Sequence, residues 1–277
     1  METVKLYYEN AFLQDFTAVV ESCGAVTGGF AVVLDRTAFY PEGGGQPADH
    51  GTLGDARVLD VHEKDGIVTH LCDHELPVGA EVSGHIDWAR RFDHMQQHSG
   101  EHLISGLIHE RYGYNNVGFH MGSETITLDV DGEVPEEVLK EIEMKANQYV
   151  WENHPVEITH PSEEELKTLP YRSKKELTGD VRIVTWPGMD ICACCGVHVN
   201  FSGEIGQITV HPSFDGLEER IGGYAEILPF DRLRPLTRIG QTRRIVAVPA
   251  QYNDAAGEAA GHIYGRKPCQ LRAVILH

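Results

Sequence analysis

At 277 residues and 41% hydrophobic, the chain is long enough for two domains with a core each, and two are expected. No run of eighteen apolar residues occurs, and the opening METVKLYYENAFLQDF lacks the pattern of a secretory signal, so the expectation is a soluble, cytoplasmic protein without a membrane partner. Lys and Arg number 23 against 42 Asp and Glu, a net charge of −19, which argues against a broad nucleic-acid face and leaves only local basic stripes: Arg90-Arg91, Arg172 with Lys174-Lys175, and Arg232 to Arg244.

From residue 1 to about 87, short β-favouring runs (Ala31 to Leu34, Ala56 to Val61, Gly66 to Leu71) alternate with Gly, Pro and Asp, the spacing of a small β-barrel. At Asp87-Trp88 the composition changes: a proline-free stretch rich in helix formers runs to Tyr112 and stops at Gly113, which predicts a long helix. A second helix follows Pro135, with Val138, Ile142, Ala146 and Tyr149 at helical spacing, and ends before His154-Pro155. Strands are expected at Val156 to Thr159, Val181 to Thr185 and Glu204 to Val210, with a short acidic helix near Glu163 to Leu169, so the second half reads as α+β. Beyond about residue 212, Gly222-Gly223, Pro229, Pro235 and Gly240 interrupt every period, and no role is assigned there.

Of six cysteines, Cys23, Cys72 and Cys269 stand alone, whereas Cys192, Cys194 and Cys195 crowd beside a histidine, a grouping that suits metal better than disulfides in a cytosolic chain. On the first helix, His98-Ser99-Gly100-Glu101-His102 sets two imidazoles one turn apart on one face. Some ninety residues later, Cys192-Ala-Cys194-Cys195-Gly-Val-His198 offers a second pair at the same spacing. Together they supply soft and borderline ligands for a tetrahedral ion. Spacing leaves the register open, since His94 competes with His102 for His98 and Cys192 and Cys195 compete with Cys194. It also leaves the purpose open. His98 to His102 fits the H-x-x-E-H pattern of inverted zinc peptidases, although no acidic third ligand is marked, and four protein ligands could equally close a structural, non-catalytic site.

The His98-x-x-x-His102 pair, the segment Cys194-Cys195-Gly196-Val197-His198-Val199 and the loop Asp35-Arg-Thr-Ala-Phe-Tyr-Pro-Glu-Gly43-Gly44-Gly45-Gln46-Pro47 together resemble the free-standing alanyl-tRNA editing proteins, AlaX, over about residues 1 to 210. The resemblance implies an N-terminal β-barrel (1–87) carrying the glycine-rich loop, followed by an α+β editing domain (88–277) like that of threonyl- and alanyl-tRNA synthetases. It implies one zinc ion held by His98, His102, Cys194 and His198, and hydrolysis of serine, in some members glycine, from mischarged tRNA(Ala). No ATP-binding aminoacylation domain is apparent, so the implied action is in trans and without a nucleotide cofactor. Val197 departs from the usual threonine, and the tail beyond about 212 departs from the family pattern.

Zinc could lower the pKa of water or orient the ester. Rejecting alanine while accepting serine requires polar groups left unpaired without the hydroxyl. His120, in Val117 to Ser123, aligns with a polar pocket position of editing domains and is the expected discriminator, whereas Glu101 is not needed as a base. Gly43, Gly44 and Gly45 permit close backbone approach, either to RNA or within a tight turn. Arg90 and Arg91, at the start of the metal-bearing helix, are the expected phosphate contacts.

Overall fold

The computed structural model describes residues 2–122, 126–173, 181–213 and 269–276. In chain order, β1 (Val4–Lys5) and one helical turn, α1 (Leu6–Glu9), precede β2 (Asp15–Val26), β3 (Gly29–Leu34), β4 (Arg36–Thr37), β5 (Gly51–Leu53), β6 (Ala56–Lys64), β7 (Ile67–Cys72) and β8 (Glu81–Ile86). The long helix α2 (Trp88–Tyr112) leads into β9 (Asn116–Met121), β10 (Ile126–Val130) and α3 (Glu136–Glu152). Then come β11 (Glu157–Thr159), α4 (Glu163–Leu166), β12 (Ile183–Trp186), β13 (Asp190–Ala193), a 3-10 turn (Ser202–Ile205), β14 (Gln207–Ser213) and β15 (Cys269–Leu276).

Six strands pair antiparallel in the order β2-β3-β7-β6-β5-β8, and β8 pairs in turn with β2. Period-2 patterning drives this: in β8, Val82, Gly84 and Ile86 are buried while Glu81, Ser83 and His85 are exposed. Phe16, Val20, Leu34, Leu53, Val61, Val68 and Ile86 fill the interior. The expectation of a small β-barrel followed by an independent α+β domain is corrected by where the residues pack. Phe39 belongs to the strand core, but Tyr40, the next residue, and Tyr7 belong to the second core, formed by α2, α3 and the sheet β14-β15-β10-β9. Parts of the first 87 residues are therefore built into the second core, and all described residues fall in one compact unit. The later sheet is also not a simple continuation of the chain, because β15 inserts between β14 and β10.

Helix α2 begins where Asp87 caps it, accepting from the Arg90 N–H at 3.2 Å, and ends at Gly113 in the left-handed region with φ 69°. Its middle, His94 through Ile108, is buried on every side, so it is a central helix and not an amphipathic surface one. Helix α3 starts after Pro135 with Glu136 and Glu137 in its first turn, which complement the positive helix end, and stops at left-handed Asn153. Where a strand was expected from Glu204, the 3-10 turn intervenes: the Glu204 carboxylate accepts from the Asn200 and Phe201 N–H groups at 2.7 and 3.0 Å, and the strand starts only at Gln207. Among the described residues, no helix is long and apolar enough to cross a membrane. The candidate basic residues Lys174, Lys175 and Arg232 to Arg244 lie outside the described residues.

His70 is wholly buried in the strand core, donating from Nδ1 to the Val32 carbonyl at 3.1 Å and accepting at Nε2 from the Thr37 hydroxyl at 2.8 Å. Burial lowers its pKa to about 4, against a weaker opposing effect of the Val32 hydrogen bond. The unfolded chain therefore takes up this proton first, and stability falls as pH drops from about 6.5 towards 4. Relative to wild type, His70→Gln is expected to gain about 2 kcal/mol of unfolding free energy between pH 7.5 and pH 5, measured by urea titration at both pH values. Parallel stability curves for the two proteins would show that His70 does not contribute.

Candidate metal centre

Helix α2 presents His98 and His102 from successive turns, and the segment after β13 presents Cys194 and His198. The ligand atoms of these four residues lie within 4.8 Å of one another. Cys194 Sγ is 3.5 Å from Nε2 of both His98 and His198, and the three imidazole centroids are 4.6 to 5.5 Å apart. All three rings are buried at 2% exposure, so their polar edges need partners.

Each ring has its outer nitrogen committed. His98 Nδ1 donates to Gln46 Oε1 at 2.9 Å, His102 Nδ1 to Asp190 Oδ2 at 2.9 Å, and His198 Nδ1 to Ser99 Oγ at 3.1 Å. This leaves every Nε2 free to face the common centre, the arrangement in which outer partners fix tautomer and direction for metal-binding histidines. Asp190 is itself gripped by Arg172, whose Nε and Nη2 donate to its two oxygens at 2.7 and 2.8 Å, with Nη2 also reaching Ser105 Oγ at 2.9 Å. Arg172 is thus a support for the cluster and not part of a basic stripe.

The electrostatics follow from this packing. Burial alone would raise the Cys194 thiol, but the electrostatic influence of His98 and hydrogen bonding with the His102, His198 and His98 rings hold it well below its ordinary value. Burial alone would lower His102, yet Asp190 and the Cys194 sulfur outweigh it and raise the ring to about 10. In His198 burial prevails over Cys194 and lowers the pKa to about 3. Burial would raise Asp190, but hydrogen bonds from His102 and Arg172 hold it below its usual range. A thiolate among three imidazoles, one carrying a displaceable proton, is a donor set that fits a divalent ion of borderline softness.

The segment carrying Cys194 is fixed by Arg182, which donates from Nη1 to the Cys194 and Gly196 carbonyls at 2.8 Å, and by Tyr8, whose hydroxyl donates to the Cys195 carbonyl at 3.0 Å. Gly196 is required by contact: a Cβ there would sit 2.2 Å from His98 Cε1. The competing registers come apart in space. Cys195 is exposed, Cys192 is buried with its thiol pushed up by burial, and His94 lies outside both groups of ligand-type residues. A second grouping of His102, Asp190 and Cys192 reuses His102, and its carboxylate is already held by Arg172. Glu101 is buried and accepts from Asn116 Nδ2 at 2.5 Å.

Two sequence expectations need correction. Arg91 is fully buried and salt-bridged to Asp49, with Nη1 donating to the Ala11 carbonyl at 2.9 Å, so it cannot meet phosphates; Arg90 is half-buried and donates from Nε to the Ala48 carbonyl at 3.1 Å. His120 is exposed on β9, and strand alternation turns its neighbour Phe119 inward instead, with its ring 5.2 Å from that of His98. Gly43 closes a turn with Gln46, while Gly44 lies against Cys195 and Gly45 against Phe119. None of Gln46, Ser99, Arg172 and Asp190 was read from sequence as a support for the metal ligands; Arg172 was read as part of a basic stripe and Gln46 only as part of the glycine-rich loop. Asp190 and Cys192 alternate along β13 just ahead of Cys194, and that spacing was a usable signal for the acid.

The model of the class II (A) tRNA synthetases matches residues 2–90. Over 212 residues the chain is 34% identical to the alanyl-tRNA editing protein Aarsd1 of Rattus norvegicus, covering 70% of this chain and 52% of that protein. It is 31% identical to AlaX-L of Pyrococcus horikoshii, covering 74% and 53%. The chain thus spans about half the length of these curated relatives. With AlaX-M of Methanosarcina mazei the match runs to 36% identity over 229 residues, 75% of this chain and 90% of that protein. A similarity of that extent means that the chain belongs to the AlaX/Aarsd1 family of alanyl-tRNA editing proteins, homologues of the class II synthetase editing domains.

Proposed function

We propose that this protein is a zinc-dependent hydrolase that deacylates mischarged tRNA(Ala) in trans, with Ser-tRNA(Ala) as its principal substrate and Gly-tRNA(Ala) as a second. The observation that carries the reading is the convergence of His98, His102, Cys194 and His198 in a member of this family, each imidazole held by its far nitrogen. Those four side chains would hold one zinc ion. When bound, zinc supplies Lewis-acid chemistry, polarising an ester carbonyl or activating water. The chain's own residues orient and insulate: Gln46, Asp190 and Ser99 fix the rings, and Phe119 covers one side of His98. In this reading residues 1–87 carry the glycine-rich turn, and residues from 88 onward carry the metal-binding helix and the Cys-x-x-x-His segment. Arg90, which keeps solvent access, is the phosphate contact. In this reading the protein works in the cytoplasm, on tRNA charged there.

The decisive experiment is deacylation of Ser-, Gly- and Ala-tRNA(Ala) by the protein as purified, after chelator treatment, and after zinc is restored. Expected are loss of the seryl ester, sparing of the alanyl ester, and a fall of about 100-fold or more on chelation, since Lewis-acid stabilisation is worth several kcal/mol. Failure to release any of the three amino acids would remove the editing reading.

A further inference from the structure

We infer that Gln46 is a positioning residue: the glycine-rich turn exists to aim His98, through the Gln46 side chain, at the metal. The inference rests on reading His98, His102, Cys194 and His198 as a metal site. The outer partners of His102 and His198 come from α2 and the second half of the chain, but that of His98 comes from a turn 52 residues earlier in sequence. Gln46 is fully buried.

The turn is built to hold one side chain still. Gly43 and Gln46 exchange both backbone hydrogen bonds at 3.0 Å, with Gly44 and Gly45 between them at φ 63° and 87°. A Cβ on Gly45 would lie 2.6 Å from a Phe119 ring carbon and 2.8 Å from its carbonyl oxygen, so the turn is wedged against the residue that packs on His98. The Tyr40 hydroxyl donates to the Gly43 carbonyl at 3.1 Å, and the Tyr40 N–H donates to Asp49 Oδ2 at 2.6 Å. Asp49 in turn pairs with Arg91. Arg91 and His98 are seven residues apart on α2, two turns and a rise of about 10 Å along one face. The loop is therefore tied to a single helix face at two points, by Asp49 to Arg91 and by Gln46 to His98.

Gln46 also has an uncompensated side. Its Nε2 has no hydrogen-bond partner among the described residues, and a buried orphan donor destabilises a fold. An amide kept for stability alone would not be left so. Leucine, one atom shorter and apolar, removes both the orphan donor and the acceptor for His98, and the two effects have opposite signs on separate readouts.

The test compares wild type, Gln46→Leu and Gln46→Glu by zinc competition against a chromophoric chelator, by the visible spectrum of the cobalt(II)-substituted protein, and by the melting temperature of the chelated protein. Gln46→Leu is expected to bind zinc about 10- to 100-fold more weakly, with an altered cobalt spectrum and a metal-free melting temperature no lower than wild type. Gln46→Glu, which keeps an acceptor for Nδ1–H, is expected to recover most of the affinity. Equal zinc affinity in Gln46→Leu, a loss that only accompanies a lower metal-free melting temperature, or no recovery in Gln46→Glu would each overturn the inference while leaving the editing reading intact. A wild-type protein that retains no zinc would overturn both.

Discussion

Cys194→Ala is expected to lower kcat/KM for Ser-tRNA(Ala) by about 100- to 1,000-fold and to abolish stoichiometric zinc retention, because it removes the one anionic ligand from a set of three neutral rings. The size follows from losing several kcal/mol of stabilisation at the ester. Cys194 Sγ also accepts from the Gly196 N–H at 3.3 Å, so some local loosening is anticipated, but Arg182 and Tyr8 hold the same segment through backbone carbonyls that the substitution leaves in place. Circular dichroism and the melting temperature of the chelated protein should therefore stay near wild type. Cys195→Ala is the matched control: the residue is exposed and is not among the four clustered ligands, so zinc content and rate should be retained. If zinc content follows Cys195 and not Cys194, the ligand assignment is wrong.

Much of the fold was legible because its boundaries are set by local chemistry. Helix α2 has the limits its sequence gives, since Asp87 can cap and Gly113 can turn left-handed without help from the rest of the chain. The runs that became β3, β6 and β7 carry their own β-branched patterning. What escaped depends on partners distant in sequence. β15 is placed only by its pairing with β10 and β14, and Glu204 reads as strand until its carboxylate finds two N–H groups behind it. Within the site, the pairs His98/His102 and Cys194/His198 were visible because each is a local i, i+4 spacing, and the family resemblance joined them. His120 was misplaced by a single residue of strand phase, which is enough to turn a side chain from the site to solvent. Arg91 was misread because charge on a sequence suggests surface. Its spacing of seven from His98 puts it on the inward face of α2, and a buried arginine then demands the carboxylate that Asp49 supplies.

That demand sets the second large effect. Asp49→Ala is expected to cost about 3–5 kcal/mol in urea unfolding, with an unchanged m-value, because it strands the Arg91 guanidinium in a fully buried position with only the Ala11 and Ala38 carbonyls to accept from it. Against the roughly 5–15 kcal/mol that holds an ordinary domain together, such a loss takes a third or more of the total. Removing both charges together, as Asp49→Leu with Arg91→Met, should cost less than the single change, since no bare charge remains. Recovery should stay partial: the Tyr40 N–H loses its acceptor, and the Ala11 and Ala38 carbonyls lose their donor. A double-mutant cycle built on Asp49→Leu and Arg91→Met then reads the coupling directly, and additive single effects would mean that the pair does not act as a unit. Because Asp49 and Gln46 fasten one loop to α2 at two points, the same destabilised proteins should also hold zinc less tightly at temperatures where they remain folded, which separates a loop that merely connects strands from one that braces the metal-binding helix.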